Sequence, residues 1–460
     1  MIDPVLIPFP SVAQPDPDPV VITGVGIGAS LGSSREKVWQ AIQQGRSGIR
    51  LTTAEDRIGS LRLPCGMVDW LPKDSKTLKA IRLAEHAAGE ALQDADIDWT
   101  KIDRGRFACS VAAQFGDIGY MYLSPEEKPF GHGTRYEGWE EEFLPSSVSD
   151  SVANTYGLHG PRLCFATACS TGIVSMHAAA RMIQADQADL ALAGASDAIA
   201  EIVLTSFYRM GVLAQGDNPA EVCRPFDRNR GGFVMGEGAA LMVLERRSHA
   251  MARGATIYAE IAASQLLCQA HHVTSLEQDC NTLEELIRRT VNKAGWSHRG
   301  PQYINAHGTG TQQNDRSELR AIRAALGTQA DQIVASSNKA VLGHLINAAG
   351  SIELALTVLA MRDGYAPPTM HLNDPEPDGS IDCLAQYGVK LEMDRALKLS
   401  QAFGGHLAGM ALRRCVVQEF QRAPVPLCAD ARLRSATKSG RSNSAQSAGY
   451  HDADQERRAA

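Results

Sequence analysis

The chain has 460 residues, 44% of them hydrophobic and 21% charged, the make-up of an ordinary globular protein with apolar surface enough for a large core. A formal net charge of -7 gives no footing for nucleic acid, and no run of eighteen apolar residues is present to span a membrane. The opening MIDPVLIPFPSVAQPDPDP has neither a basic flank nor a cleavable apolar segment, so a cytoplasmic protein is expected. Ten cysteines without a C-x-x-C pair disfavour zinc ribbons, thioredoxin-like sites and, at this length, a disulfide framework; no metal is expected.

In chain order, residues 1–19 are rich in Pro and Asp and read as an extended arm. Strand-like runs then alternate with helical patterns, as in an α/β protein: VVITGVGI, FACSVAA, RLCFATA, LALAGAS, ALMVLER, QYINAHG, QIVASSN and GMALRRCVV. In TGVGIGAS, Gly24, Gly26 and Ala29 satisfy the loose dinucleotide fingerprint, but the acidic residue that should follow a second strand is missing, so a tight glycine turn is the better reading. Further on, LPKDSKTLKAIRLAE sets Lys76, Lys79 and Arg82 on one helical face. Two segments share a shape. RLCFATACSTGIVSMHAAARMIQ and QIVASSNKAVLGHLINAAGSIELALTVLAM each pass from a buried strand through a polar loop into a helix of small residues. They predict two similar halves, 20–258 and 259–418, with those helices packed inside. Residues 423–460 are polar and poor in large apolar side chains and read as disordered.

Three residues stand out at strand-to-helix loops. Cys169, in ATACSTG, is placed at the start of a helix, where free N–H groups and the macrodipole favour a thiolate, and Gly172 leaves room for a substrate. His307 ends the strand before NAHGTGTQQNDRSE, and His344 precedes the second small-residue helix. Each taken singly reads as a structural residue. A nucleophile and two imidazoles, each at a strand-to-helix loop of a duplicated unit, point to a site.

With these motifs in place, the chain resembles the β-ketoacyl-[acyl-carrier-protein] synthases, condensing enzymes of the thiolase-like superfamily, and is most similar to the elongating type II enzymes and their aromatic-polyketide relatives. The likeness spans about residues 20–418 and rests on VVITGVGIGASLG, ATACSTG, CRPFDRNRGGFVMGEGAALMVLE, NAHGTGTQQNDRSE, NKAVLGHLINAAGS and APPTMHL, in that order. It implies a duplicated five-layer αβαβα architecture and no cofactor. It also implies that Cys169 accepts an acyl group from an acyl carrier protein, with the backbone N–H groups of Cys169 and Phe403 as oxyanion donors. His307 and His344 would then stabilise the enolate formed as malonyl-carrier protein loses CO2, giving a 3-oxoacyl product. Lys339 and Glu353 match a charge pair that tunes the histidines, and Asp315 and Glu318 match acidic residues beside the same loop. The partners implied are acyl carrier protein and a second subunit: a copy of the same chain, or a chain-length-factor relative if the enzyme is of polyketide type. Lys76, Lys79 and Arg82 are candidates for docking the acidic carrier.

The chain departs from the pattern at QAFGGHLAGM, where His406 and Leu407 stand for the usual Thr and Asn. Phe403 is retained as the expected acyl gate, but Leu407 cannot hydrogen-bond through its side chain, so the loop must be braced differently and His406 is a candidate polar contact. Phe115 is expected to reshape the acyl pocket. A non-catalytic chain-length factor would lack Cys169, and a thiolase would use a second cysteine in place of the two histidines.

Overall fold

The computed structural model describes residues 16–56, 59–72, 77–113, 144, 146–376 and 381–415. Ten strands form one sheet: β1 (Val20–Ala29), β2 (Phe107–Ala112), β3 (Arg162–Leu163), β4 (Leu190–Asp197), β5 (Gly238–Arg246), β6 (Ala259–Cys268), β7 (Tyr303–Asn305), β8 (Val334–Ser336), β9 (Arg395–Gln401) and β10 (His406–Arg413). Their spatial order is β8-β7-β9-β10-β6-β1-β5-β4-β2-β3. Read outward from the β1/β6 junction, the first five strands run 1-5-4-2-3, and the last five repeat that order as 6-10-9-7-8. The pairing senses repeat as well: β2 lies parallel to β3 and β4, and β7 parallel to β8 and β9, while the remaining pairs are antiparallel. The halves meet through two antiparallel pairs, Val21 with Glu260 and Ile22 with Ala259.

Side-chain alternation builds the layers. On β5, Ala240, Met242 and Leu244 face an inner core, whereas Ala239, Leu241 and Val243 face an outer one, so both faces are buried and the run is apolar throughout. The inner core is filled by α2 (Thr171–Gln184) and α5 (Ala349–Asp363); the outer cores hold α1 (Lys79–Asp94) on one side and α3 (Asn281–Lys293) with α4 (Gln312–Leu326) on the other. Helices, half-sheet, helices, half-sheet, helices: these are the five expected layers. A helix between two sheets has no wet side, so all but Arg362 and Asp363 of α5 is buried.

Small residues set the approach of the two inner helices, and here two expectations are corrected. A Cβ on Gly172 would lie 2.4 Å from the backbone N of Ser351, so this glycine admits α5 rather than a substrate. Gly24 and Gly26 lie inside the continuous strand β1, not in a turn; Cβ atoms there would meet the carbonyl oxygens of Ala91 and Ala87 on α1 at 2.2 and 2.0 Å. Their role is close strand-to-helix contact. Strand β3 pairs over only Arg162–Leu163, shorter than RLCFATA suggests, while β6 and β9 are strands beyond those expected. No helix among the described residues is long and apolar enough to cross a membrane. Phe115, Lys76 and the tail 423–460 lie outside the described residues, as do the first fifteen residues of the arm.

Candidate active site

Cys169 sits in a short 3-10 turn, Ala168–Ser170, that leads directly into α2. Ala168 takes a left-handed φ of 46°, which an L-residue adopts at a cost and which turns the chain sharply enough to present the next side chain. The thiol opens on a cavity of about 770 Å3 that is also lined by His307, His344 and Phe403. Phe207, Val212, Phe233 and Ile346 supply apolar wall; Thr309, Thr311, Gln312, Asn314 and Gln401 supply a polar one. The three residues singled out in the sequence therefore share one cavity.

The backbone N–H groups of Cys169 itself and of Phe403 lie near enough to the sulfur to favour its anion. These are the two amides expected to hold an oxyanion. The resting thiol is not the thiolate anticipated from the helix start, however: burial pushes it up to about 12, against the opposing pull of the Lys339 ammonium and the two N–H groups. A helix dipole is worth about 0.3–2 kcal/mol, at most about one and a half pKa steps, and cannot reverse that.

His307 follows β7, and its loop is held by carboxylates from α4. Glu318 accepts from the N–H of His307 at 2.6 Å and of Gly308 at 2.8 Å, and Asp315 accepts from Thr309 at 3.0 Å and from Phe226 at 2.7 Å. Both acids thus organise backbone and do not line the cavity. Lys339 donates to the His307 carbonyl at 2.6 Å and lies 3.4 Å from its Nδ1, while its ammonium is paired with Glu353 Oε1 at 2.5 Å. An ammonium only donates, so Nδ1 is the acceptor and the ring proton sits on Nε2.

His344 is fixed by its backbone, donating to the Val234 carbonyl at 2.6 Å and accepting from Gly236 at 2.9 Å. Its ring stands 5.4 Å from that of His307 at 83°, and 5.4 Å from Phe233. Burial, with the charges of Lys339 and Lys398 adding to it, holds both imidazoles well below the ordinary histidine range. They are neutral N–H carriers.

The loop with the unusual His406-Leu407 pair is braced by backbone instead of side chains. Gly404 donates to the Val273 carbonyl at 2.7 Å, Gln269 to that of Gly405 at 2.9 Å, and Ala402 to that of His406 at 2.9 Å. Leu407 is buried in the outer core, and His406 is not among the residues lining the cavity; its ring lies beside Gly404. Lys79 turns inward, its ammonium paired with the fully buried Glu237 and 3.0 Å from the Val68 carbonyl, while Arg82 donates to Pro72 at 2.7 Å. Lys79 is thereby tied into the fold rather than held out on a solvated face.

Several site residues escape sequence reasoning: Asn347, Asp197, Lys398 and the polar wall of Gln401 and Asn314. Asp197 accepts from Asn347 Nδ2 at 2.7 Å and Thr171 donates to Asn347 Oδ1 at 3.2 Å, which ties the start of α2 to the turn before α5. Lys398 carries the one legible signal, a lysine flanked by Leu397 and Leu399 in the strand RALKLSQ, but its partner is remote in sequence. Among the described residues no group of three or more His, Cys, Asp or Glu could hold a metal.

Comparison with known proteins agrees with this geometry. The profile described as β-ketoacyl synthase, N-terminal domain, matches residues 69–250, and the β-ketoacyl synthase C-terminal domain matches 258–373. The chain is 33% identical over 412 residues to the tetracenomycin polyketide synthase ketoacyl synthase alpha subunit of Streptomyces glaucescens, covering 86% of this chain and 97% of that protein. It is 31% identical over 409 residues to 3-oxoacyl-[acyl-carrier-protein] synthase 2 of Coxiella burnetii, covering 86% and 98%. Among solved structures, a chain of the AntDE:AntF complex, a type II PKS acyl-carrier protein with its ketosynthase bound to the hexaketide, superposes with a TM-score of 0.79 at 31% identity, covering 87% of this chain and all of the other. The duplicated sheet, the shared cysteine–histidine cavity and these matches lead to one conclusion: the chain belongs to the β-ketoacyl synthase family of thiolase-like condensing enzymes.

Proposed function

We propose that this chain moves an acyl group from an acyl carrier protein onto Cys169 and then condenses it with malonyl-carrier protein to give a 3-oxoacyl-carrier protein and CO2. The observation that carries the reading is the convergence of Cys169, His307 and His344 on one cavity, with the N–H groups of Cys169 and Phe403 near enough to the sulfur to favour its anion.

In the first half-reaction the sulfur attacks the thioester carbonyl, the tetrahedral oxygen is held by those two N–H groups, and the carrier's sulfur departs. A resting thiol with so high a pKa must lose its proton in the same event, and the leaving thiolate takes it up. In the second half-reaction malonyl loses CO2, leaving an enolate whose oxygen accepts hydrogen bonds from the neutral His307 and His344. The enolate carbon attacks the acyl-Cys169 carbonyl, the carbon–sulfur bond breaks, and the released Cys169 thiolate is reprotonated from solvent. Phe403, whose ring lies 6.4 Å from that of Phe207 at the cavity, is assigned as the gate between acylation and condensation.

Relatives named as a polyketide synthase subunit and as a 3-oxoacyl-[acyl-carrier-protein] synthase match about equally well, so the pairing partner is the second question. The chain shares a TM-score of 0.76 and 27% identity with the ishigamide ketosynthase/chain length factor. That likeness supports a polyketide-type enzyme assembled with a related subunit, with a homodimer as the alternative; native mass spectrometry distinguishes them. Mass spectrometry of carrier-bound products, from malonyl-carrier protein and a panel of acyl primers, tests the reaction itself. Cys169→Ala should lower condensation by at least about 1000-fold, and condensation at the parent rate in that variant would sink the mechanism.

A further inference from the structure

Lys398, on β9, has a fully buried side chain and takes no part in the steps above. Its ammonium lies 2.6 Å from Glu353 Oε2 and donates to the carbonyls of Leu399 at 2.5 Å and Ala306 at 3.2 Å. Glu353 therefore gives one oxygen to each of two lysines, Oε1 to Lys339 and Oε2 to Lys398. One carboxylate between two ammoniums leaves a surplus positive charge. With Lys339 alone the pair would be neutral overall.

That surplus is placed where the chemistry needs it. Lys398 acts with Lys339 against protonation of both His307 and His344, and its bond to the Ala306 carbonyl fixes the backbone immediately before His307. The groups facing it are Glu353 from α5, Lys339 from the turn Lys339–Leu342, and Glu318 from α4. Burial pushes the Glu318 carboxyl up to about 7, so it offsets the surplus only in part near neutrality. Burial also brings Lys398 down to about 8, opposed by Glu353. A charge in a dry interior acts far more strongly on a developing enolate than it would in water.

We propose that Lys398 is a positioning residue for decarboxylation: by pairing with the second oxygen of Glu353 it leaves the cluster positively charged beside the enolate, and by holding the Ala306 carbonyl it keeps His307 aimed at the enolate oxygen. The inference rests on the condensing reaction proposed above and deepens it.

The test measures CO2 release from malonyl-carrier protein by the full chain in a Cys169→Ala background, where the nucleophilic thiol is removed and decarboxylation is read without acyl transfer, from about pH 6 to about pH 10. Lys398→Met should lower kcat for CO2 release by about 10-fold to 100-fold with KM for malonyl-carrier protein little changed. With Lys398 in place the rate should fall on the alkaline side as the ammonium loses its proton. In Lys398→Arg the rate should be largely retained and that limb should move to higher pH, because a guanidinium does not deprotonate in this range. A Lys398→Met protein within two-fold of its parent, or a folded Lys398→Arg protein whose alkaline limb stays put, would overturn the proposal; the arginine variant decides the matter if the methionine variant does not fold. Absence of CO2 release in the Cys169→Ala parent would overturn the proposed reaction and this inference with it.

Discussion

The turn before α2 and the turn before α5 occupy corresponding places in the two halves, and they differ in what they carry. Both begin with a non-glycine residue in the left-handed region, Ala168 at φ 46° and Ile346 at φ 44°, and both run through one 3-10 turn into a buried small-residue helix. The next residue is Cys169 in one and Asn347 in the other. The same strained backbone thus presents a thiol to the cavity on one side and an anchoring amide on the other, where Asn347 holds Asp197 and receives Thr171. Duplication supplied one way of aiming a side chain inward; the residue type at the aimed position separates chemistry from scaffolding. The charges follow the same division, since Lys339, Glu353 and Lys398 all belong to the second half, and Lys339 among them acts on the Cys169 thiol of the first.

The sharpest break in this division is Glu353→Gln. It leaves two buried ammoniums without their carboxylate, and losing a buried pair in this way costs about 3–5 kcal/mol. Calorimetric unfolding should show a clear fall in Tm; an unchanged Tm would mean that the three charges are not coupled. Asn347→Ala comes next. It removes a donor from the buried Asp197 and an acceptor from Thr171, a loss of about 1–3 kcal/mol. Burial already pushes Asp197 up to about 7, and losing the Asn347 amide pushes it further. A folded pKa raised above the unfolded one means that stability is greatest in acid, where the group is protonated in both states, and declines as pH rises toward 7 and beyond. Denaturant unfolding should therefore show a larger penalty for Asn347→Ala at pH 8 than at pH 5, and a penalty independent of pH would remove Asp197 from the account. The smallest effect is expected for Ala168→Gly, which relieves the left-handed φ but adds chain freedom to the unfolded state, for a net gain of about 1 kcal/mol or less. Measured loss of stability there would show that the turn is not strained.

How much of this was legible beforehand varies by residue. ATACSTG and the two histidine loops announce themselves because small residues, a nucleophile and loop histidines cluster at element boundaries, and the alternation of apolar runs with helical patterns gave the α/β class. Gly24, Gly26 and Gly172 were visible as glycines, yet their reason was misread: a missing Cβ reports that something comes close without saying what. For these three the visitor is another helix or strand. Lys79 was legible as a cation on a helix, but its partner Glu237 is more than a hundred residues away. Lys398 was passed over for the same reason, since its meaning depends on Glu353 and Ala306, on other elements of the half-sheet and its covering helix.

By itself, then, the amino-acid order determined the class of elements, hinted at their repetition in two halves and singled out the proposed reactive atoms, because propensity, periodicity and side-chain chemistry are local properties. The tertiary structure alone decided which groups are charged and which neutral. It raised the Cys169 thiol instead of lowering it, kept His307 and His344 unprotonated, and set Glu353 between two lysines. Protonation depends on burial and on charges a few ångströms away, and those neighbours are brought together only when strands and helices from both halves close around the same cavity.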